Sequence, residues 1–251
     1  MPFEPILISN IAAMTCYEIA KIIASVRIFN MALYQTEREV SPEDLLLFAE
    51  HFGLHAPSDY KFAEETGVAT LQPGLGPETS RPHNNQELDW HTDGYYNSLT
   101  HQVHSMIVHC VTPADEGGIT SAINHEDAYD MLHAINPEYT QALEADDVYG
   151  NCTKGKLADL IWGPVFTKPN GRLHMRYGAY ARGEWKDDPV VNAARKALDD
   201  ILNGPNPNVH TFKMDAGQGI ICNNVLHRRT SFEGDQRKLY RVRYEQRLVG
   251  T

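Results

Sequence analysis

Long apolar runs are missing from this 251-residue chain. No stretch approaches the roughly 18 apolar residues that a membrane-spanning helix needs, so a membrane is not an expected partner. The opening Met1-Pro2-Phe3-Glu4-Pro5 lacks the basic start and apolar core of a secretory signal. Cysteine is scarce: Cys16, Cys110, Cys152 and Cys222 are widely spaced and form no CxxC pair. The expectation is four reduced thiols, mostly buried, in a cytoplasmic protein. Basic charge is also short, with 22 Lys and Arg against 33 Asp and Glu, a formal net charge of −11. An acidic balance of this kind argues against nucleic acid as the main partner, although local basic clusters can still hold small anions. No repeat and no low-complexity linker breaks the chain, which reads as one domain over residues 1–251.

What is present is an ordinary globular mixture, 42% apolar and 22% charged. A chain of this length can bury a core without disulfide or metal staples. Thr15-Cys-Tyr-Glu18 forms a capping box before the apolar Ile19 to Ala24, and Val26 to Leu33 reads as a strand. Ser41-Pro42-Glu43-Asp44 is a helix start, with a cap, a first-turn proline and acids at the positive end of the dipole; Gly53 ends that helix. His125 to Ala134 reads as a helix ending before Pro137. Asp188-Pro189 begins another, with Val191, Ala194, Leu198 and Ile201 at helical spacing and Gly204-Pro205 as its stop. Strand-like runs cover Ser105 to Val111, Pro164 to Thr167, Arg172 to Tyr177, Val209 to Met214 and Gly219 to Cys222, with Pro169-Asn170-Gly171 as a hairpin turn. In the closing run, Leu239 to Leu248, Tyr240, Val242 and Tyr244 alternate with Arg241, Arg243 and Glu245. The pattern predicts a mainly β core with peripheral helices.

The string with most chemistry in it is Asp89-Trp90-His91-Thr92-Asp93-Gly94. On an extended backbone, residues two apart face the same way, so His91 and Asp93 could offer a nitrogen and an oxygen to one metal. A second histidine from another strand would complete two imidazoles and one carboxylate on one face of an octahedron. That leaves open positions for co-substrate and O₂, the arrangement used by non-haem Fe(II) oxygenases. His227, after the turn and apolar strand of Gly217 to Leu226, is the candidate. A His-x-Asp triplet alone is weak evidence in a chain with 12 histidines. His125-Glu126-Asp127 is a decoy, because on a helix positions two apart diverge. Arg237, Arg241 and Arg243 share one face of the last strand. An inward face would demand an anion, whereas a solvent face would demand nothing; the pattern leaves both readings open. His101, His104 and His109 read as packing or surface residues, Arg176 and Arg182 as solvated, and Trp90 as a core anchor.

Taken together, Ser41 to Gly53, Trp90 to Gly94, Gly117-Gly118-Ile119-Thr120, Gly217-Gln-Gly219, His227 and Arg237-Lys-Leu-Tyr-Arg241 resemble the TauD/TfdA family of Fe(II)- and 2-oxoglutarate-dependent dioxygenases. The order and spacing of these pieces along nearly the whole chain are specific where each piece alone is not. The resemblance implies a double-stranded β-helix, or jelly-roll, core. It implies Fe(II) held by His91, Asp93 and His227, with 2-oxoglutarate and O₂ as co-substrates. It implies that Thr120 and Arg237 hold the distal carboxylate of 2-oxoglutarate, the guanidinium fork fixing orientation as well as charge. The interval from His227 to Arg237 is short for the family, which leaves Arg241 as the alternative holder. Otherwise Arg241 matches the family arginine that meets an anionic substrate group. Tyr95 and Tyr96 follow the metal motif where taurine enzymes differ, so they line the substrate pocket or pack in the core, and taurine is not implied.

The expected reaction is hydroxylation of a C–H bond in a small, anionic or amino-acid-like molecule, with release of succinate and CO₂. Desaturation, ring closure and demethylation would use the same ligands. Because the carboxylate position is filled by Asp93, halogenation is not expected. Two rivals stand beside this: a β-barrel protein that binds metal without oxidation, and a zinc hydrolase that activates water. The hydrolase has no use for Thr120 and Arg237. A homo-oligomer is compatible with all three.

Overall fold

The structure is a computed structural model, and it describes residues 3–59, 63–75, 81–151, 160–179 and 183–251. Its strands and helices, in chain order, are β1 (Ile6–Ile8), α1 (Cys16–Phe29), β2 (Met31–Thr36), α2 (Pro42–Glu50), β3 (Ala69–Leu71), β4 (Leu88–His91), β5 (Ser105–Thr112), β6 (Thr120–Ile123), α3 (His125–Ile135), α4 (Pro137–Leu143), β7 (Tyr149–Asn151), β8 (Ile161–Gly163), β9 (Phe166–Thr167), β10 (His174–Met175), β11 (Glu184–Trp185), α5 (Pro189–Asn203), β12 (His210–Phe212), β13 (Gln218–Cys222), β14 (Leu226–Arg229) and β15 (Lys238–Tyr244). Cys152 and Arg182, considered above, lie outside the described residues.

Two sheets carry the architecture. The larger runs β1-β2-β13-β5-β15-β3, and the smaller runs β12-β6-β14-β4. Only β1–β2 is parallel among their pairings. Apolar side chains sort into three layers. Ile22, Val26, Leu45, Phe48 and Phe52 from the α1 and α2 region pack on Ala32, Tyr34, Ile107, Ile221, Val242 and Tyr244, the outer face of the larger sheet. Helices α3, α4 and α5 cover the smaller sheet, burying Ala128, Leu132, Leu143, Val191, Ala194 and Leu198 with Trp90, Ile123 and Leu226. Between the sheets lie Leu33, Leu71, Met106, Val108, Ala122, Ile220, Val225 and Leu239. The central strands β2, β5 and β13 bury one row under helices and one row between the sheets, which is why they read as nearly continuous apolar runs.

The capped helices follow from local chemistry. Thr15 Oγ1 accepts from Glu18 N and the Glu18 carboxylate accepts from Thr15 N, closing the box that starts α1. Ser41 and Asp44 do the same for α2. Asp188 Oδ1 accepts from the N–H groups of Val190 and Val191 to start α5. The α2 helix stops at Glu50, with Gly53 left-handed three residues later.

Two sequence expectations need correction. Val26 to Leu33 is not one strand: α1 continues to Phe29, Asn30 turns left-handed (φ 54°), and β2 begins at Met31. Ile22 and Val26, four apart, bury on one helical stripe, and that packing outweighs the strand preference of the β-branched Val26 and Ile28. The closing strand also ends sooner than expected, at Tyr244. The turn at Pro169–Gly171 does join a hairpin, β9 pairing antiparallel with β10.

Candidate metal centre

Antiparallel pairing of β14 with β4 places His227 directly opposite His91, with ring centroids 4.3 Å apart. Both side chains point between the sheets, as Leu226 and Arg228 on the same strand point the other way toward the helices and Trp90. The Nδ1 of His91 bonds the Asp89 carbonyl at 2.7 Å, and that of His227 bonds the Val225 carbonyl at 3.0 Å. A carbonyl only accepts, so each Nδ1 carries the proton and each Nε2 keeps its lone pair. Those Nε2 atoms lie 3.7 and 4.0 Å from Asp93 Oδ1. This is the only group of three metal-capable side chains with mutually close donor atoms among the described residues.

Electrostatics keep these groups in ligand form. Burial, with His227 nearby, pushes His91 down to about 3, and burial lowers His227 as well. Both imidazoles are therefore neutral at physiological pH, as metal ligation requires. Burial alone would raise Asp93, but Arg241 and then Arg243 overcome it and hold the carboxyl far below its usual range. Arg241 Nη1 is 3.0 Å from Asp93 Oδ2 and Arg243 Nη1 is 4.0 Å away. Two neutral imidazoles, fixed from behind by carbonyls, and one ionised carboxylate fit a divalent iron.

One pocket joins this centre to the other predicted residues. Its lining includes His91, His227, Thr120, Arg237 and Arg241, walled by apolar residues such as Leu71, Met106 and Ile220. The row of arginines in and just before β15 is therefore inward: Arg237, Arg241 and Arg243 are all buried. Arg241 sits at the triad. Arg237 immediately precedes β15, four residues before Arg241, with its guanidinium 4.7 Å from the Phe232 ring centre and its Nε beside Gly118. Burial lowers Arg237 to about 10, which leaves it charged at neutral pH. At Gly117 (φ 69°) an added Cβ would come within 2.2 Å of the Ser231 carbonyl, so the Gly-Gly turn before Thr120 admits no side chain there.

Tyr95 and Tyr96 stand at the centre's edge, partly exposed, their rings 5.2 Å apart. Tyr95 lies edge-on to His91 at 6.4 Å, and Arg243 Nη1 donates to Tyr96 Oη at 3.3 Å. Arg176 corrects the sequence reading. It is buried and donates to the carbonyls of Tyr95, Tyr149 and Ile161, tying the tyrosine turn to β7 and β8. Sequence spacing could not show this, because its partners are backbone groups. His125, the decoy, starts α3 and bonds the Leu173 carbonyl at 3.0 Å. His101 is exposed beside Glu245, and His109 is buried against the Tyr34 hydroxyl. Asp93 itself departs from the strand picture. β4 ends at His91, and Asp93 lies in the turn beyond.

Two packed sheets with two histidines and an aspartate converging at the mouth define an iron- and 2-oxoglutarate-dependent oxygenase on a double-stranded β-helix. Solved structures agree on the fold. The non-haem iron oxygenase OrfP in complex with Fe and alpha-ketoglutaric acid superposes with a TM-score of 0.69 at 15% identity, over 93% of this chain and 81% of that one. An asparagine oxygenase in complex with Fe(II), 3-hydroxyasparagine and succinate gives 0.66 at 16%, over 91% and 78%. A uridine-5'-phosphate dioxygenase from Streptomyces is 27% identical over 209 residues, 78% of this chain and 75% of that protein. Residues 35–243 match the model of the taurine catabolism dioxygenase TauD, TfdA family, and the chain belongs to that family. No helix among the described residues is long and apolar enough to cross a membrane.

Proposed function

We propose that residues 1–251 form one oxygenase domain in which His91, Asp93 and His227 hold Fe(II), Thr120 and Arg237 hold 2-oxoglutarate, and a small anionic substrate is hydroxylated beside Tyr95 and Tyr96. The observation that carries this reading is the convergence of two back-bonded imidazoles on Asp93 within a pocket that also contains Thr120 and Arg237. Iron, when bound with 2-oxoglutarate and O₂, supplies the oxidant, one oxygen atom going to succinate and the other to the substrate C–H bond.

The protein's own part is position, charge and exclusion of water. Of the two candidate arginines, Arg237 suits the distal carboxylate. It lines the pocket just before β15 and has no ion pair with the triad among the described residues, whereas Arg241 is engaged at Asp93. A buried cation at that depth favours the extended dicarboxylate over a monoacid. Arg241 and the Arg243–Tyr96 pair favour a negative group on the substrate at the mouth. Nucleoside phosphates and amino acids are the classes to test first, given the substrates named for the relatives.

The test is anaerobic titration of the metal-free protein with Fe(II) and 2-oxoglutarate, with His91→Ala as control. A visible charge-transfer band in the wild type and none in the variant is the expected result. No band in folded, iron-loaded wild type would remove the co-substrate from this site. Substrate charge is read separately: stimulation of 2-oxoglutarate consumption by uncharged compounds alone would overturn the anionic substrate.

A further inference from the structure

Asp93 has left the β4 ladder, so its peptide N–H and C=O need partners from elsewhere. One side chain meets both. Asn224 Oδ1 accepts from Asp93 N at 2.7 Å, and Asn224 Nδ2 donates to Asp93 O at 2.9 Å and to Val103 O at 2.6 Å. Asn224 is 1% exposed, so these bonds are shielded from water. It occupies the β13–β14 turn three residues before His227, with φ 51°, a conformation asparagine tolerates better than most residues. One short turn therefore delivers His227 to the centre and grips the backbone of Asp93.

Its neighbour Asn223 works on the opposite side. Asn223 Nδ2 donates to Asn30 Oδ1 at 2.9 Å and Thr251 Oγ1 at 3.0 Å, and its Oδ1 accepts from Leu248 N at 3.2 Å. Those contacts hold the turn against the end of α1 and the final residues, away from the imidazoles. Adjacent asparagines of the same chemistry, equally buried, thus separate two functions.

We propose that Asn224 is a positioning residue that fixes the Asp93 carboxylate on the metal-binding face, whereas Asn223 anchors the turn alone. This rests on the assignment of His91, Asp93 and His227 as metal ligands. The physical reason is rotational. Two bonds to a single residue fix its peptide planes, and Gly94 (φ 69°), immediately after Asp93, offers little resistance to reorientation. Without the clasp, Arg241 at 3.0 Å is the stronger pull on the carboxylate.

The experiment is anaerobic titration with Co(II), followed by visible d–d absorption, alongside thermal unfolding of the metal-free proteins. The variants are Asn224→Gly, which suits the left-handed backbone and removes the clasp, Asn224→Asp, which keeps the acceptor and loses the donor, and Asn223→Ala. Both Asn224 variants are expected to bind Co(II) about 10- to 100-fold more weakly, the usual cost of losing a group that orients a ligand, with altered d–d bands. Asn223→Ala is expected to unfold at lower temperature with wild-type affinity and bands. Wild-type affinity and bands in either folded Asn224 variant would overturn the proposal, as would an equal loss of affinity in Asn223→Ala. If Asn224→Gly fails to fold, Asn224→Asp decides by the same criteria. Equal Co(II) binding by wild type and His91→Ala would instead remove the ligand assignment, and this proposal with it.

Discussion

Imidazoles cluster in two places among the described residues of this protein, and only one of the clusters brings three metal-capable donor atoms together. Around Asp93, two rings are bonded through Nδ1 to carbonyls and present Nε2 to a common carboxylate. On the far side of the β13–β14 turn, His104, His125 and His174 gather near Arg247, which bonds Asn30 and the Leu173 carbonyl. His104 and His174 rings are 4.3 Å apart, as close as His91 and His227. Burial first, then neighbouring groups, lowers His174 well below its ordinary range, and His125 is pushed down to about 4. The difference is a carboxylate and a direction. In the second cluster His125 bonds a carbonyl through Nε2 and the charged neighbour is the Arg247 guanidinium, and among the described residues no carboxylate oxygen is grouped with these imidazoles. Burial and histidine count alone do not bring three donor atoms together here; convergence on Asp93 does.

The sharpest way to break this comparison is to remove one imidazole from each place. His227→Ala should weaken Fe(II) binding by more than about 100-fold, beyond the usual cost of losing an orienting partner, whereas His174→Phe should leave it unchanged. Anaerobic calorimetry reads both. Arg237→Ala should cost about 2–5 kcal/mol of 2-oxoglutarate binding, roughly 30- to 4,000-fold in Kd, at unchanged Fe(II) affinity; equilibrium binding of 2-oxoglutarate checks it. An unchanged Kd in the folded variant would return the role to Arg241.

The second cluster should also appear in the pH dependence of stability. The folded value of His125 lies below the unfolded one, so the unfolded chain takes the proton first as pH falls. The stabilisation is present above about pH 6.5 and is lost down to about 4, at up to about 1.4 kcal/mol per pH unit for each such imidazole. Urea unfolding across that range should show the slope, and His174→Phe should reduce it. The smallest effect tests neither cluster. Thr15→Ala should cost about 1 kcal/mol through the lost cap of α1 and leave metal binding alone.

Much of the centre was legible because its chemistry needs particular residue types. His91, Asp93 and His227 stood out by kind and order, and the β15 alternation put the arginines on one face. What spacing could not decide was which face that was, because the answer depends on the helices covering the other side. The strand argument for His91 and Asp93 pointed to a pair that the structure does bring together, but by an incomplete route, since the aspartate is set by a turn and by a distant asparagine. Asn224 and Arg176 were illegible for a common reason: their partners are main-chain carbonyls and amides, which carry no sequence signature. Helix α4 is hidden in the sequence because Pro137 reads as the stop of α3, although Asn136 before it caps a new helix through its bond from Glu138 N.

The sheet edges have a consequence for how copies of this chain meet one another. The larger sheet ends in β1 and β3, of three residues each, and the smaller ends in β12, also three, and β4, four, the last bridged further by Gly178 opposite His91. Such short borders expose little unsatisfied backbone for another chain to template on. Crowded solutions of the folded protein should therefore resist edge-to-edge polymerisation, and self-association would have to use side-chain surfaces in place of a shared sheet.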